Sequence, residues 1–326
     1  FDKVFDTNFS ADVTIMEEGT EFIKRFTGGG NLPLLTSCCP AWTDWMEKYA
    51  PDFTENFSTA KSPQQMLSAL AKSYWAEKNG VDHTKIHMTS IMPCTSKKYE
   101  ISRDEYMNAT GTQDTDVVLT TRELARMIKA AGIDFSNLED EPADRLLGSY
   151  TGAGTIFGVT GGVMEAALRT AYCLITGEAQ PPSIEFSEVR GMDGIKTATI
   201  DIKGTKVNIA VAHQMGNVEK VINQIREDRR NGVRPRYDFI EVMACRGGCI
   251  GGGGQPCLAT DAVRAKRTAG LYSDDERSTL RMSHLNPEVQ SLYRDYLGET
   301  GANGGERAEH LLHTKYRKRD LYRFET

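Results

Sequence analysis

Short apolar runs alternate with amphipathic segments along this chain of 326 residues. The run DVVL at positions 116–119 precedes TTRELARMIKAAG, and VNIAVA at 207–212 precedes GNVEKVINQIRED. Runs of this kind are typical of buried strands, and apolar positions spaced three and four apart are typical of helices. Because strands alternate with helices, the pattern favours an α/β fold with parallel sheets.

Two of the predicted helices have recognisable ends. Residues 62–80 carry Ser62 where a helix cap is expected and Gly80 where a helix would end. A second helix is predicted to begin at Thr120, because Glu123 completes the Thr-x-x-Glu capping pattern. The apolar stripe of the first helix consists of Met66, Leu67, Leu70, Tyr74 and Trp75.

Three further apolar runs end at cysteine residues. LPLLT leads to Cys38 and Cys39, IHMTSIM leads to Cys94, and DFIEVMA leads to Cys245. In open α/β sheets, ligands bind at the carboxyl ends of the strands. The sequence therefore predicts that these thiols lie together and form a site.

The adjacent thiols of Cys38 and Cys39 are not expected to form a disulfide with each other, because such a bridge strains the backbone. In an extended segment, successive side chains point to opposite sides. One of the two is therefore predicted to bind a metal centre, and the other is predicted to face elsewhere.

Composition narrows the class of protein: 39% of the residues are hydrophobic, 26% are charged and the formal net charge is −6. This mild acidity argues against nucleic acid as a partner, and no apolar stretch approaches the roughly 20 residues of a membrane span. No secretory leader is visible, and a first residue of Phe1 leads us to expect that the sequence starts inside a longer chain. Seven scattered cysteines favour metal binding or thiol chemistry in a reducing compartment over a disulfide framework.

Four thiolates can be assembled from these segments. Cys245 and Cys249 stand in a C-x3-C spacing, Cys94 lies in MPCTSKKYE, and the adjacent pair supplies the fourth. Such a set suits either a structural zinc ion or a 4Fe–4S cluster. The run GGCIGGGG around Cys249 favours the larger inorganic centre, because a chain without Cβ atoms approaches closely and turns freely. Zinc stays open as the alternative.

These segments together resemble the catalytic domain of FeFe hydrogenases. The family signatures TSCCPxW, MPCxxKxxE and ExMACxxGCxxGGGQP stand here as TSCCPAW at 36–42, MPCTSKKYE at 92–100 and EVMACRGGCIGGGGQP at 241–256. Similarity continues through DTNFSADVTIMEEGTEF, LTTRELARMIK, IFGVTGGVMEAALRTA and HLLHTKY, so it covers nearly the whole chain.

The resemblance implies two α/β lobes, with parallel or mixed sheets flanked by helices and a metal cluster between the lobes. Residues 1–265 would form the catalytic domain, whose N-terminal part is expected to be missing. Residues 266–326 would form an extension similar to a hydrogenase small subunit.

The resemblance also implies a cofactor, the H-cluster, in which a 4Fe–4S cluster is joined to a diiron unit bearing CO, cyanide and an azadithiolate. The thiolates of Cys39, Cys94, Cys245 and Cys249 would hold the 4Fe–4S part. Cys249 would also bridge to the diiron unit, which would have no other covalent link to the protein.

Several side chains are implied to surround the diiron unit. Lys97 would hydrogen-bond a cyanide ligand, Met92 and Met243 would pack on the cluster as apolar walls, and Phe157 would border the pocket. Without the family motif, Lys97 would be interpreted as a surface lysine and the two methionines as ordinary core residues.

Cys38 is then implied to be a proton donor, with a relay beyond it through Glu18, Ser58, Glu21 and Arg25. Glu18, Glu21 and Arg25 lie at i, i+3 and i+7 on one helical stripe. From the residues alone, such a stripe is more often a solvated ion-pair surface.

Four positions depart from the family pattern or fall outside it. Arg246 stands where many relatives have proline, and Ala41 stands where many have glycine. Cys173 and Cys257 match no family ligand and are expected to be buried thiols. The sequence has no ferredoxin-like C-x2-C-x2-C-x3-C run, so accessory clusters are expected on another segment or subunit.

The sequence thus predicts an FeFe hydrogenase that catalyses 2 H⁺ + 2 e⁻ ⇌ H₂ with electrons from ferredoxin or an upstream iron–sulfur cluster. Maturation proteins that insert the diiron unit are implied partners, and a cytoplasmic location is expected. Two alternatives stay open. A hydrogenase-like iron–sulfur assembly protein would need neither Cys38 nor Lys97, and a hydrogenase that senses H₂ should have a degraded proton relay.

Overall fold

The structure is a computed structural model that describes residues 1–103 and 107–321. The strands are β1 (Leu34–Leu35), β2 (Thr89–Met92), β3 (Val117–Thr120), β4 (Ile195–Ile202), β5 (Thr205–His213) and β6 (Phe239–Met243). The helices are α1 (Thr7–Gly28), α2 (Pro40–Tyr49), α3 (Pro63–Leu70), α4 (Ala76–Asn79), α5 (Ser96–Glu100), α6 (Thr121–Ala130), α7 (Gly152–Thr155), α8 (Gly162–Thr176), α9 (Met215–Arg230), α10 (Asp261–Arg277), α11 (Pro287–Leu292) and α12 (Glu306–Leu312).

Two separate sheets organise the chain. The larger has the strand order β1–β6–β5–β4, in which β4 runs antiparallel to β5 and the other pairs are parallel. The smaller is the parallel pair β2 and β3. The predicted α/β fold with parallel and mixed sheets is confirmed, and each sheet contributes cysteines to the site described below.

Helices cover both faces of the larger sheet, because its central strands are apolar on both sides. In β5, Val207, Ile209 and Val211 share a core with α1 and α8, while Ala210 and Ala212 share a core with α2 and α9. A parallel strand that is buried on both faces does not alternate apolar and polar residues. This is why the sequence of β5 reads as a continuous apolar run.

The predicted strand–helix pairs are confirmed. β3 is followed directly by α6, whose first turn carries the predicted capping box of Thr120 and Glu123. β5 is followed by α9 in the same way. For α6 a capping box marked the start of the helix, whereas for α9 the apolar run and the amphipathic segment after it were enough to place the elements.

The helix predicted over residues 62–80 has the right extent but differs in detail. It consists of α3, a π-helical turn at Ala71–Trp75 and α4, and Gly80 ends it with a φ of 62°. Ser62 occupies the predicted capping position, but its side chain accepts no hydrogen bond from the backbone of the first turn. Its hydroxyl is turned toward Glu100 and donates to Oε2 of that residue at 2.9 Å.

The C-terminal part of the chain packs against the first helices. Apolar residues of α11 and α12 share a core with α1 and α3. α10 runs across the predicted domain boundary at residue 265, and that boundary stays a prediction. Residues 322–326, the end of the predicted extension, lie outside the described residues. Within the described ranges, no helix has the length and apolar character needed to cross a membrane.

A buried ion cluster joins α8 to α10. The guanidinium of Arg169 donates to Glu165 at 2.7 Å and to both carboxylate oxygens of Asp275 at 2.9 and 2.8 Å, and all three side chains are fully buried. Arg281 donates to Asp275 at 2.7 Å from the other side. Removing one partner from such a cluster leaves a charge in surroundings that cannot solvate it.

We expect Asp275→Asn to lower the free energy of unfolding by about 3 kcal/mol, because Arg169 keeps its buried charge and loses an ionic partner. The matched control is Asp52→Asn, which breaks an exposed pair with Arg226 at 2.6 Å and should cost less than about 1 kcal/mol. Urea unfolding of the metal-free chain measures both losses. Equal losses would contradict the view that Asp275 anchors α10 to α8.

Candidate metal centre and adjoining polar chain

The four predicted ligand cysteines follow strands of both sheets. Cys39 lies between β1 and α2, and Cys94 follows β2 by two residues. Cys245 and Cys249 lie in the loop that leaves β6. The carboxyl ends of β1, β2 and β6 therefore deliver the thiols, as the sequence predicted, but they do so from two sheets rather than one.

The four thiols lie close enough to influence one another's protonation. Burial raises the pKa of Cys245 to about 11, with Cys39 and Cys94 adding to the rise. Part of Cys249 is accessible to solvent, yet its thiol is surrounded by protein atoms, and this burial, together with the charges of Cys94 and Cys39, raises its pKa. Thiolates at these positions would repel one another unless a positive centre lay among them.

This donor set fits a 4Fe–4S cluster. Four thiolates are its usual protein ligands, and metal binding releases the protons that burial would otherwise retain. Within the described ranges, no group of three or more His, Cys, Asp or Glu side chains is close enough to hold a single metal ion.

The glycines after Cys245 allow close contact between two backbone segments. A Cβ atom on Gly252 would lie 2.2 Å from the carbonyl oxygen of Pro93, and the N–H of Gly254 donates to that same oxygen at 2.8 Å. Gly248 has a φ of 89°, which disfavours any residue with a side chain. The glycine run therefore brings the loop after β6 against the segment that carries Cys94.

Cys38 and Cys39 point apart, as predicted from the extended backbone. Cys38 packs against the core formed with α1 and α8, whereas Cys39 packs against the core formed with α2 and α9. Burial raises the pKa of Cys38 well above its ordinary value, and the charge of Glu18 adds to the rise. The thiol of Cys38 therefore stays protonated beside Glu18.

Lys97 is a buried cation next to Cys38. Its ammonium group donates to the carbonyl oxygen of Cys38 at 3.0 Å and to Oε2 of Glu100 at 3.0 Å. Burial opposes its charge, but Glu100 and the thiols of Cys94 and Cys38 outweigh that effect and raise the pKa of Lys97. The alternative of a surface lysine is therefore wrong.

The predicted apolar walls lie in different parts of this region. Met243 ends β6 and belongs to the core formed with α1 and α8, and Phe157 packs against the same core. The sulfur of Met243 lies near Gly248, where an added Cβ atom would be 3.0 Å from it. Met92 is buried at the end of β2, two residues before Cys94.

Glu241 is a buried residue whose function was not predicted from the sequence. Its carboxylate accepts the backbone N–H of Gly161 at 2.6 Å and of Met164 at 2.7 Å, at the start of α8. A carboxylate at a helix N-terminus satisfies donors that have no partner within the helix. The signal was present, because Glu241 is the one charged residue after Asp238 in the buried run FIEVM. Glu241 fixes β6, which carries the cysteine loop, to the helix that follows Phe157.

The predicted relay residues lie on and beside α1. The hydroxyl of Ser58 donates to Oε2 of Glu21 at 2.8 Å, and Arg25 donates to Oε1 at 2.5 Å. Arg25 also donates to the carbonyl oxygen of Phe57 at 2.9 Å, and 16% of its side chain is exposed. A solvated ion-pair surface is excluded, because Glu18 and Glu21 are both buried.

Glu18 differs from Glu21 because both of its carboxyl oxygens lack a hydrogen-bond partner of normal geometry. Burial and the charge of Glu21 raise the pKa of Glu18 to about 8. The hydroxyl of Ser58 and the N–H of Ser37 lie near and partly offset that rise. Glu18 thus interacts electrostatically both with the thiol of Cys38 and with Glu21.

The two remaining cysteines have different surroundings. Cys173 is buried, as predicted, but Cys257 is exposed, and the prediction of a buried thiol there is wrong. Cys257 follows the glycine loop at the surface, where the guanidinium of Arg122 donates to its sulfur at 3.0 Å. Arg246 donates to both carboxylate oxygens of Asp261 at 2.8 and 2.6 Å and so ties the cysteine loop to the start of α10.

Sequence comparison finds hydrogenase relatives along nearly the whole chain. The chain is 49% identical to the NADP-reducing hydrogenase subunit HndD of Solidesulfovibrio fructosivorans, with 98% of this chain and 54% of that protein aligned. It is 50% identical to the periplasmic Fe hydrogenase large subunit of Nitratidesulfovibrio vulgaris, with 83% of this chain and 64% of that protein aligned. The chain therefore spans only about half to just under two thirds of the length of these relatives.

Structure comparison also finds FeFe hydrogenases. Sequence comparison finds, at lower identity, a protein named for iron–sulfur assembly. The structure of a variant of the FeFe-hydrogenase HydA1 from Chlamydomonas reinhardtii matches with a TM-score of 0.84 at 42% identity, over 98% of this chain and 86% of that one. Cytosolic iron–sulfur assembly component 3 of Rattus norvegicus is 34% identical, with 96% of this chain and 66% of that protein aligned.

Family models divide the sequence into two parts. Residues 261–319 match the model described as iron hydrogenase small subunit. Residues 1–253 match the model described as iron only hydrogenase large subunit, C-terminal domain. This range includes the four predicted ligand cysteines and all residues of the predicted relay. With this match over most of its length, the chain belongs to the iron-only hydrogenase family.

Proposed function

We propose that this chain catalyses the reversible reduction of protons, 2 H⁺ + 2 e⁻ ⇌ H₂, as the catalytic part of an FeFe hydrogenase. One observation carries the proposal: the thiol of Cys38 interacts electrostatically with Cys249 and Cys39 of the four-cysteine group and also with the buried acid Glu18. A site that combines electrons with protons needs both a redox centre and a path for protons. Cys38 is where the two meet.

The cofactor of the proposed activity is the H-cluster. Cys39, Cys94, Cys245 and Cys249 would hold its 4Fe–4S part, and Cys249 would also bridge to the diiron unit. When bound, this group stores the electrons and provides the metal at which they combine with protons.

The side chains of this protein would orient the cofactor and limit access to it. Lys97 presents a buried positive charge, which suits an anionic cyanide ligand. Met243 and Phe157 supply apolar surface and exclude water, and we extend the same role to Met92. Glu241 would keep the cysteine loop in place through its hydrogen bonds to the start of α8.

Protons would reach the site along the chain from Arg25 to Cys38. Arg25 is in contact with solvent, and Glu21 accepts hydrogen bonds from both Arg25 and Ser58. Glu18, with its pKa raised by burial to about 8, holds a proton near neutral pH and can release it at little cost. Cys38 would hold the last proton of the chain at Sγ and pass it to the cofactor.

Electrons would enter on the side of the cysteine loop. The guanidinium of Arg122 lies at this surface and donates to the carbonyl oxygen of Gly253 in the loop at 2.7 Å. Positive charge at this surface suits an acidic electron donor, such as a ferredoxin or an upstream electron-transfer subunit. Maturation proteins would insert the diiron unit, and we place the enzyme in the cytoplasm.

The main alternative is an iron–sulfur assembly protein, since one such protein is a relative of this chain. The presence of Cys38 and of the buried Lys97 beside it favours the hydrogenase, because a scaffold without gas chemistry needs neither a proton donor nor a cationic partner for cyanide. An H₂-sensing hydrogenase is disfavoured by the unbroken hydrogen bonds among Ser58, Glu21 and Arg25.

We expect Cys38→Ala to keep the cofactor but to slow H₂ evolution at least about a hundredfold, as when a proton-transfer group is lost. Cys39→Ala should instead lose the 4Fe–4S cluster, because thiolate is the ligand that this cluster requires. Iron content, infrared bands of CO and cyanide, and H₂ evolution are measured on both variants. Near-normal activity in Cys38→Ala would refute the relay, and a lost cluster in that variant would reverse the assignment of the pair.

The two non-ligand cysteines provide the control. Cys173→Ala and Cys257→Ala should leave iron content unchanged at about four irons per chain after cluster reconstitution and about six after full maturation. Loss of the cluster in Cys257→Ala but not in Cys94→Ala would show that the ligand set is wrong. About eight or more bound irons would reveal a further cluster within this chain.

We expect Glu18 to make the stability of the metal-free chain depend on pH. Its pKa is raised from an ordinary 4.5 to about 8, so the folded state holds a proton that the unfolded state releases. Relative to Glu18→Gln, the wild-type free energy of unfolding should fall as the pH rises from about 4.5 to about 8, by up to about 5 kcal/mol. Urea unfolding of both proteins across this range tests it, and parallel pH profiles would mean that Glu18 ionises normally.

A further inference from the structure

A second group of buried polar side chains lies on the opposite side of Thr59 from the relay. Nδ1 of His313 lies 2.8 Å from the hydroxyl of Thr59, and Nε2 lies 2.9 Å from Oε2 of Glu17. Glu17 is fully buried, and His313 is only 9% exposed. The three side chains connect α1 to the segment that follows α12.

The hydrogen-bond partners assign the tautomer of His313. Glu17 accepts hydrogen bonds from the hydroxyl of Tyr293 and, at 2.8 Å, from the N–H of Gly301, so its carboxylate acts as an acceptor throughout. Nε2 of His313 must therefore donate to Glu17. Nδ1 then forms the remaining hydrogen bond of the ring, with the hydroxyl of Thr59.

Thr59 connects this group to the proposed relay. Its backbone N–H donates to Oε2 of Glu21 at 3.1 Å, the same oxygen that accepts the hydroxyl of Ser58 at 2.8 Å. Glu17 and Glu21 are one helical turn apart on α1. Glu17, His313, Thr59 and Glu21 therefore close a ring of hydrogen bonds across that turn.

Backbone pairing holds the two segments of the ring together. The N–H of Thr314 donates to the carbonyl oxygen of Thr59 at 2.8 Å, and the N–H of Lys61 donates to the carbonyl oxygen of Leu312 at 2.8 Å. These bonds fix the distance between the two segments, but they leave the rotation of the Ser58–Thr59 peptide unit to other contacts. The hydrogen bond from Thr59 to His313 supplies such a contact.

We propose that His313 is a positioning residue for the proton relay: by holding the hydroxyl of Thr59, it orients the Ser58–Thr59 peptide so that its N–H and the Ser58 hydroxyl both reach Glu21. This inference rests on the proposed function for its effect on turnover, but the orientation of Thr59 can be measured independently. His313 does not touch the reacting atoms. Its contribution passes through Thr59 to Glu21.

Two substitutions separate the contacts of His313. Asn places a polar atom near the position of Nδ1 and can keep the contact with Thr59, whereas Gln places one near the position of Nε2 and can keep the contact with Glu17. His310, an exposed residue on α12 that contacts the carbonyl oxygen of Ala109 at 2.9 Å, provides the matched control His310→Gln.

The experiment measures amide hydrogen exchange at Thr59 and H₂ evolution in the cofactor-loaded chain. In His313→Gln we expect exchange at Thr59 to be about tenfold faster and turnover about tenfold slower, as when one buried hydrogen bond is lost. His313→Asn and His310→Gln should stay within about twofold of the wild type in both measurements. Iron content and infrared bands should be the same in all variants.

A second pair tests the same contact if the His313 variants do not fold. Thr59→Val removes the hydroxyl at nearly constant volume and should behave as His313→Gln, while Thr59→Ser keeps the hydroxyl and should behave as the wild type. Wild-type exchange in Thr59→Val and His313→Gln would overturn the inference, as would faster exchange with normal turnover. If the wild type evolves no H₂, the proposed function fails, yet the exchange measurements still decide whether His313 orients Thr59.

Discussion

The structure depends on placing acidic groups in a buried site, where each must either receive a partner or keep its proton. Four thiols that follow strands of the two sheets affect one another's pKa values. The carboxyl groups of Glu18, Glu21 and Glu241 are also buried. Burying an unpaired charge costs far more than any single packing contact returns. The local architecture follows from this cost. Glu241 receives the free N–H groups of α8, Glu21 receives Arg25 and Ser58, and the four thiols would need a positive centre among them in order to ionise together.

Motif and spacing predicted much of this arrangement because the features concerned are local. The capping box at Thr120 depends on residues three apart, and the opposite orientation of Cys38 and Cys39 follows from one extended peptide. The resemblance to a known family then supplied the ligand set and the relay, which remain predictions for this chain. Comparison established the family, and the structure added that the relay stripe is buried rather than solvated.

The features that the sequence did not predict arise from contacts between distant residues. Ser62 was predicted to cap its own helix, but it donates to Glu100, 38 residues away. Cys257 was expected to be buried because thiols usually are, but it follows a glycine loop whose backbone packs on the Cys94 segment and leaves it at the surface. The contact of Glu17 with His313 joins residues separated by 296 positions, and no local pattern specifies it.

On α1, the hydrogen bonds that each acidic side chain receives are related to the part that it plays in the site. Four of its acids point inward, and three receive donors from remote segments: Asp12 from Thr151 and Asn286, Glu17 from the C-terminal part of the chain, and Glu21 from Ser58. On this helix, within the described part of the chain, Glu18 is the acid whose oxygens are both unpartnered. Hydrogen bonds to a carboxylate favour its charged form, whereas burial without such bonds favours the protonated form, and burial accordingly raises the pKa of Glu18 to about 8. The donors of the other three acids tie α1 to remote segments and, at Glu21, join the helix to Ser58 and Arg25 of the proposed relay. Glu18 is then the acid of α1 that holds a proton next to Cys38.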